Sequence, residues 1–248
     1  RMAARIDGLI SSQQDMTNAM SHEIKTPLAR MRFEVEMARA ATDKRETHAH
    51  LDHINRDISE LNAFVTATLD YAILERAEVA LNCGVHDFTN VLPAICDSVR
   101  RTARHDLAIG CRVSAAATSI LCDAHLIETA IRNLLYNAAR YAKGRVEISM
   151  SGDDQHYVLA VDDDGPGIAP EERNRVFESF VQLDQPTSKK TGYGLGLAIV
   201  KRILEWHGGH ATVMQSHLGG ARVVIEWRAQ PEVKRRDDAA TARRSSLS

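Results

Sequence analysis

The chain is organised around the stretch Ser21-His22-Glu23-Ile24-Lys25-Thr26-Pro27-Leu28. On an α-helix, His22 points about 160° away from an apolar stripe and therefore faces solvent. The stripe consists of Met20, Ile24, Leu28, Met31, Val35 and Ala38. A neutral imidazole is a nucleophile near pH 7, because its ordinary pKa is about 6.5. Glu23 can hold the tautomer and accept the proton released on attack, and Thr26 lies one turn along the same face. By itself the pattern also fits a solvated surface histidine ahead of a proline kink.

Two long helices are predicted around this stretch. The first covers residues 1 to about 41, with a heptad repeat at its start and a kink at Pro27, and the second covers about residues 46–77. The apolar stripe of the second helix consists of Leu51, Ile54, Ile58, Leu61, Val65, Leu69 and Ala72. A hairpin of these helices leaves an apolar seam on each, which a second copy would cover in a four-helix bundle. We therefore predict a homodimer; the alternative is a hairpin packed on its own C-terminal domain.

From about residue 78 the periodicity changes to alternating strands and helices. Strands are predicted near residues 79–81, 107–113, 119–122, 146–150, 157–161, 211–214 and 221–227, and helices at 88–104, 124–142 and 195–206. The uneven alternation and the closing hairpin predict an α/β sandwich with one mixed sheet covered by helices. The overall fold class is thus α+β: a helical hairpin followed by this sandwich. The tail after residue 228 lacks periodicity and is predicted to be disordered.

Composition narrows the class of protein. The 248 residues are 44% hydrophobic and 26% charged, as in ordinary globular proteins, and the net charge of -2 predicts no nucleic-acid partner. The cysteines at positions 83, 96, 111 and 122 form no C-x-x-C pair, and we interpret them as small buried hydrophobes in a reducing compartment. No window approaches the roughly 20 apolar residues of a membrane span, and no signal peptide is visible. Because Arg1 already lies in a helical pattern, we expect a fragment of a longer protein.

A predicted helix carries Asn133, Asn137 and Arg140 on one face, at i, i+4 and i+7. Side-chain amide oxygens suit Mg²⁺, which prefers oxygen ligands and brings phosphates and waters with it. A guanidinium can grip a phosphate as a planar fork. Taken alone, such asparagines are equally well explained as solvated.

Two glycine-rich motifs follow. Asp163-Asp164-Gly165-Pro166-Gly167 ends a strand, where a carboxylate can accept a hydrogen bond from an adenine amino group, although a simple turn is the alternative. Gly192-Tyr193-Gly194-Leu195-Gly196-Leu197-Ala198 opens a helix and forms a phosphate cradle that matches neither the dinucleotide fingerprint nor the P-loop. The polar segment 168–191 between them is interpreted as a mobile lid hinged on glycines.

Together these segments resemble those of sensor histidine kinases. The stretch from Ser21 to Arg30 resembles the phospho-acceptor box, and four later segments resemble the N, G1, F and G2 boxes in the family's order. These are Asn133–Tyr141, Asp163–Gly167, Val176–Phe180 and Gly192–Leu197. The resemblance covers about residues 12–228 and is strongest to membrane-receptor kinases of two-component systems.

The resemblance implies a division of the chain. Residues 1–15 resemble the helix that follows a HAMP signal-relay module, 16–77 a dimerisation and phosphotransfer hairpin, and 78–228 a catalytic domain of the gyrase and chaperone ATPase type, with 229–248 as a tail. The full protein would be anchored in a bacterial inner membrane through a missing N-terminal part, with this region in the cytoplasm. Its partner would be the receiver domain of a response regulator.

The resemblance also implies roles for individual residues. His22 would attack the γ-phosphate of ATP, Glu23 would be the base, and Thr26 would place a water for dephosphorylating the regulator. Asn133 and Asn137 would bind Mg²⁺. The implied nucleotide-binding set is Asn133, Asn137, Arg140, Tyr141, Asp163, Gly165, Gly167, Lys189, Lys190, Gly192, Gly194, Leu195 and Gly196.

One departure from the family pattern concerns the lid. Many relatives carry arginines near the second glycine motif, whereas this chain offers Gln182, Lys189 and Lys190, so the γ-phosphate contact stays open.

Two other functions remain as alternatives. One is a chaperone-like ATPase of the same superfamily, and the other is a non-catalytic dimeric scaffold. Hydrolytic relatives carry a glutamate base where Asn133 stands, and an amide cannot accept a proton. The presence of His22, Asn137 and Asp163 disfavours the scaffold.

Overall fold

The N-terminal part of the chain is a hairpin of two long helices. The computed structural model describes residues 2–75, 81–103, 106–114, 119–153, 156–183 and 193–228, with only the backbone described at 2–19 and 22. Helix α1 spans Met2–Ala40 and α2 spans Lys44–Glu75. α1 runs through Pro27 without ending there. The predicted helix pair is therefore confirmed, while residues 76–80 and the predicted tail lie outside the described residues.

The C-terminal part is built from short strands and three helices. Its elements are β1 (Gly84–His86), α3 (Phe88–Thr102), β2 (Ala108–Val113), β3 (Ile120–Cys122), α4 (Ala124–Tyr141), β4 (Arg145–Gly152), β5 (His156–Asp163), α5 (Gly196–Trp206), β6 (His210–Gln215) and β7 (Ala221–Arg228). Five strands form one sheet in the order β2-β4-β5-β7-β6, with β2 and β4 parallel and the other pairs antiparallel. The three helices pack on it, which confirms the mixed α/β sandwich.

Of the strand predicted near residues 79–81, positions 79 and 80 lie outside the described residues, and Leu81 lies outside any strand. Among the described residues, the first strand is Gly84–His86, which pairs with β3 in a separate two-stranded sheet. This strand has three residues, too few for an alternating pattern to stand out, and it depends on a partner far along the chain.

Asp163, which is the last residue of β5 and the first of the glycine motif, continues the core face of the sheet. Side chains alternate along a strand, so Leu159, Val161 and Asp163 share one face. Leu159 and Val161 belong to the hydrophobic core beneath the helices. Asp162 points to the opposite face, where it accepts from Ser216 Oγ (2.9 Å) and pairs with Arg222 (2.8 Å). Strand alternation thus directs the Asp163 carboxylate toward α4 and α5.

The hairpin is only partly covered by its own catalytic domain. Met20, Ile24, Leu61 and Tyr71 pack against the core of the chain. Other apolar side chains of both helices stay exposed: Leu28, Phe33, Val35, Met37, Leu51, Ile58, Val65, Leu69 and Ile73. An exposed apolar seam of this size is typical of an interaction surface. The homodimer remains a prediction that this seam supports.

Two further sequence expectations can be compared with the structure. All four cysteines are free thiols, of which Cys96 and Cys122 are buried. Among the described residues, no helix combines the length and apolar character that crossing a bilayer requires.

A buried histidine at the end of α5 makes the stability of the catalytic domain sensitive to pH. His207 is fully buried, its Nδ1 donates to the Ile203 carbonyl (2.8 Å), and its Nε2 accepts from the Asp123 amide (3.1 Å). Burial lowers the pKa of His207. In the unfolded chain His207 binds a proton as the pH falls through about 6.5, whereas the buried imidazole of the folded chain stays neutral to lower pH. The free energy of unfolding should therefore be constant above about pH 6.5 and decrease as the pH is lowered further.

This expectation can be tested by thermal melts between pH 7.5 and 5.5. The wild type should lose more stability over that range than His207→Gln, which cannot titrate there. His125→Gln, which removes an exposed histidine, serves as the control and should keep the wild-type slope. Equal slopes in the wild type and His207→Gln would contradict the assignment.

Candidate functional site

A single cavity brings most of the predicted nucleotide-binding residues together. It has a volume of about 720 Å³, within the roughly 300–1,000 Å³ of small-molecule sites, and lies between α4, the end of β5, the turn before α5, and α2. Its lining includes Asn133, Asn137, Arg140, Tyr141, Asp163, Gly167, Gly194, Leu195 and Gly196. The two glycine motifs and the asparagine helix therefore form one site.

Helix α4 presents its amides to this cavity in a defined orientation. The helix starts at an N-cap, where the Asp123 side chain accepts from the Leu126 amide. Nδ2 of Asn133 donates to the Thr129 carbonyl (2.9 Å), which leaves its Oδ1 as the outward atom. This oxygen faces the start of α5, since a Cβ added at Gly196 would lie 3.2 Å from it. An amide oxygen on the cavity wall fits a hard cation such as Mg²⁺.

The carboxylate of Asp163 is anchored by the backbone. Its Oδ1 accepts from the amides of Gly165 (2.8 Å) and Ala221 (3.1 Å). Burial raises the pKa of Asp163, although these two backbone hydrogen bonds counteract it. Within the part of the chain that the structure describes, no protein donor reaches Oδ2. The second carboxylate oxygen of this largely buried residue is therefore open to the cavity and available to a ligand donor.

The glycine-rich turn before α5 packs against residues 180–181, in the middle of the segment between the two glycine motifs. Gly194 has a φ of +67°, and a Cβ added there would lie 2.6 Å from the Val181 carbonyl oxygen. The Phe180 amide donates to the Gly194 carbonyl (2.9 Å). Only glycine permits this approach. As a result Val181, Gln182 and Leu183 line the cavity beside the turn.

The same turn also contacts the hairpin. The rings of Tyr193 and Phe64 lie 4.5 Å apart, and the Tyr193 hydroxyl donates to the Glu60 carbonyl of α2. Burial and the nearby carboxylates of Glu60 and Glu23 raise the pKa of Tyr193 to about 12. The C-terminal domain therefore rests on α2, with Glu23 of α1 among its charged neighbours.

A second contact lies farther along α2. Nε of Arg202, on α5, donates to the Leu74 carbonyl (3.0 Å). Burial raises the pKa of Tyr71, and a hydrogen bond with Ser179 of the lid segment acts in the opposite direction. Both the lid and α5 thus contact α2.

The register of the hairpin shows where His22 lies. Arg30 of α1 pairs with Asp57 (2.8 Å) and Glu60 (2.7 Å) of α2. In an antiparallel pair, moving back along α1 from residue 30 to 22 moves forward along α2, which places the His22 backbone level with about residues 65–68. Thr66 and Ala67, at that level of α2, line the cavity, as do Ala63 and Asp70 on either side of them.

Some predicted site residues are not brought to the cavity. Gly165 lies behind Asp163, and neither Glu23 nor Thr26 belongs to the described lining. The side chain of His22 is outside the description, as are Lys189, Lys190 and Gly192.

Sequence reasoning also missed some site residues. Ala221 anchors Asp163, and the four α2 residues form the hairpin wall of the cavity. The i, i+3, i+4, i+7 spacing of the α2 residues is a detectable signal of a second helix face.

Comparison with known proteins finds two family models along the chain. Residues 122–231 match the family described as "Histidine kinase-, DNA gyrase B-, and HSP90-like ATPase", and residues 12–77 match the "His Kinase A (phospho-acceptor) domain". The fold and the cavity thus define an ATPase-type domain joined to a phospho-acceptor hairpin. The chain belongs to the sensor histidine kinases of two-component systems.

Individual relatives agree with this membership. The chain is 36% identical over 228 residues to "Sensor protein RstB" of Escherichia coli (strain K12). The aligned region covers 92% of this chain and 51% of RstB. The chain spans about half the length of the curated relatives it matches.

Solved structures share the fold. Full-length ShkA in complex with AMPPNP matches with a TM-score of 0.64 and 25% identity, covering 87% of this chain and 45% of ShkA. Histidine kinase ThkA in complex with response regulator protein TrrA matches with a TM-score of 0.73 and 19% identity, covering 92% of this chain and 65% of that one.

Proposed function

We propose that this chain is an ATP-dependent, autophosphorylating protein-histidine kinase whose acceptor is His22. The observation that carries the proposal is the cavity, which collects Asp163, the α4 amides and the glycine-rich turn against α2 at the level of His22. Oriented amides, a buried acceptor and a helix N-terminus are the parts that an adenine nucleotide with its metal requires.

The cavity residues suggest how ATP is held. Oδ2 of Asp163 accepts from the adenine amino group, and the turn at Gly194–Gly196 offers backbone amides to the phosphates. Arg140 grips a phosphate as a fork, and Tyr141 lies against the adenine or ribose. Gly192, Lys189 and Lys190 extend the cradle from the lid.

Asn133 and Asn137 are suited to hold Mg²⁺ through their amide oxygens. The bond from Nδ2 of Asn133 to Thr129 supports this assignment, since it turns the oxygen outward. When bound, Mg²⁺ neutralises charge on the phosphate oxygens.

Transfer begins with the lone-pair nitrogen of the His22 ring. It attacks the γ-phosphorus, the bond to the β–γ bridging oxygen breaks, and ADP leaves. Glu23 takes the proton from the other ring nitrogen, so the ring ends as neutral phosphohistidine. The phosphoryl group then passes to an aspartate of a response-regulator receiver domain. In a separate dephosphorylation reaction, Thr26 places a water that hydrolyses the regulator's phosphoaspartate to aspartate and inorganic phosphate.

A homodimer and a domain movement complete the proposal. The exposed apolar seam of α1 and α2 supports a four-helix bundle of two copies. The described hairpin wall of the cavity comes from α2, so the nucleotide must move relative to the hairpin to meet His22, within one chain or across the dimer. The complete protein is proposed to be anchored in an inner membrane, with this region in the cytoplasm.

Weakening the contact between α5 and α2 is expected to speed autophosphorylation. Arg202→Ala removes the hydrogen bond to the Leu74 carbonyl without touching the cavity, which makes the docked arrangement less favourable. A hydrogen bond contributes about 0.5–1.5 kcal/mol, so the initial rate should rise by up to about tenfold. Lys201→Ala, at an exposed neighbouring position, is the control. A slower or unchanged rate in Arg202→Ala would argue against a restraining contact.

The proposal is tested by incubating the chain with γ-labelled ATP and Mg²⁺. The expected product is a label on the protein that is lost in acid and stable in base, and that moves to a receiver domain at short times. Release of inorganic phosphate without labelled protein would favour the ATPase alternative. Absence of nucleotide binding would favour the scaffold.

A further inference from the structure

Three metal-ligating side chains meet near the turn of the hairpin, outside the cavity. Glu34 of α1 contacts Nδ1 of His50 (2.5 Å) through Oε2 and Nδ1 of His53 (2.9 Å) through Oε1. One ligand atom from each residue lies within 4.8 Å of the other two. His50 and His53 are three residues apart on α2 and therefore project from the same face.

The surroundings of this cluster favour a cation. Side-chain exposure is 18% for Glu34, 21% for His50 and 45% for His53, so the cluster is partly enclosed and still open to solvent. Arg30, one turn away, is engaged by Asp57 and Glu60. Among the described residues, the two histidines are the only side chains paired with Glu34. Its negative charge therefore has no permanently cationic partner.

We propose that Glu34, His50 and His53 form a binding site for a divalent transition-metal ion of the zinc class. Two imidazole nitrogens and one carboxylate oxygen are ligands that suit Zn²⁺, Cu²⁺ or Ni²⁺, whereas Mg²⁺ prefers oxygen ligands alone. Three protein ligands leave a fourth tetrahedral position for water. The site therefore differs chemically from the magnesium site proposed at Asn133 and Asn137.

Binding requires only small movements of these side chains. Zinc bonds of about 2.0–2.2 Å in tetrahedral geometry place ligand atoms about 3.4 Å apart. The carboxylate and each ring therefore separate by less than about 1 Å, and the two ring nitrogens, which lie within 4.8 Å of each other, adjust to the same spacing. The proton on each Nδ1 shifts to Nε2, which leaves the rings neutral and their Nδ1 lone pairs available. The bound ion would tie α1 to α2 about 18 Å along α1 from His22.

The test uses the untagged, metal-stripped chain titrated with Zn²⁺ in a calorimeter and with Co²⁺ followed by visible absorption. One ion should bind per chain, with the strong visible bands of tetrahedral Co²⁺. Loss of an outer-shell partner already weakens metal binding by about 10–100-fold, so His50→Gln and His53→Gln should each weaken it at least that much. Zn²⁺ should raise the melting temperature of the wild type and leave the double variant unchanged.

The controls separate this site from other histidines and from the magnesium site. His48→Gln removes an exposed histidine of the same helix, bonded to the Lys44 carbonyl, and should bind Zn²⁺ like the wild type. Excess Mg²⁺ should not displace the ion. No binding, equal affinity in His53→Gln and the wild type, or displacement by Mg²⁺ would each overturn the proposal. Circular dichroism confirms that each variant is folded. Because the His53 side chain is more exposed than that of His50, His53→Gln should disturb the fold less than His50→Gln does.

Discussion

Replacing His22 with glutamine is expected to abolish incorporation of phosphate from γ-labelled ATP while leaving nucleotide affinity unchanged. The amide of glutamine has no nucleophilic ring nitrogen, and residue 22 belongs to α1 whereas the described hairpin wall of the cavity comes from α2. Labelling is measured on gels at early times, and affinity is measured with a non-hydrolysable adenine nucleotide.

A matched control is His48→Gln, an exposed histidine on the second helix of the same hairpin. It should label at the wild-type rate. If His22→Gln still accepts phosphate at that rate, the acceptor lies elsewhere in the chain and the proposed mechanism fails.

Replacing Asp163 with asparagine is expected to weaken adenine-nucleotide binding by one to two orders of magnitude with the fold retained. The asparagine Oδ1 can still accept from the amides of Gly165 and Ala221. Its amide nitrogen then meets the adenine amino group, donor against donor, which costs about 1–3 kcal/mol. Calorimetry with ATP and a thermal melt measure the two properties separately.

Alanine at position 163 is a poorer test, because it leaves two buried backbone amides without an acceptor and destabilises the domain itself. Guanine presents an acceptor oxygen where adenine presents its amino group, so Asp163→Asn should also narrow the preference for ATP over GTP. Asp164→Asn is the neighbouring control, since that carboxylate caps the amides of Lys143 and Gly144 outside the cavity lining. Unchanged ATP affinity in Asp163→Asn would refute the adenine contact.

The two variants together distinguish transfer within a chain from transfer across the proposed dimer. In a mixture, the His22→Gln protein binds ATP without an acceptor, and the Asp163→Asn protein keeps the acceptor with weak nucleotide binding. Label on the Asp163→Asn chain would indicate transfer between chains. Absence of label in a mixture that forms mixed dimers would indicate transfer within one chain.

Much of this architecture was predictable because it is local. The helices α3, α4 and α5 lie within two residues of their predicted bounds, since apolar periodicity and caps such as Asp123 act over a few residues. The segments that resemble the family boxes could be recognised for the same reason: each is a short contiguous stretch of sequence.

The α2 helix shows where local reasoning stops. Its predicted apolar stripe includes Leu69, which is 58% exposed, whereas Phe64 lies off that stripe and is 1% exposed against Tyr193. The periodicity of the sequence predicts one apolar face of α2. The second buried face is defined by the C-terminal domain, which lies far along the chain and packs against α2. The cluster of Glu34, His50 and His53 likewise depends on tertiary structure, since Glu34 meets the two histidines only in the register of the hairpin.

By itself, the sequence determined the helix pair, the mixed sandwich and the residue types of a nucleotide site, because periodicity, capping and glycine placement act between neighbours along the chain. Only the tertiary structure decided that Ala221 holds Asp163, that α2 walls the cavity, and that two histidines converge on Glu34. Such contacts join residues that are distant in sequence, and their free energy depends on packing that no local pattern encodes.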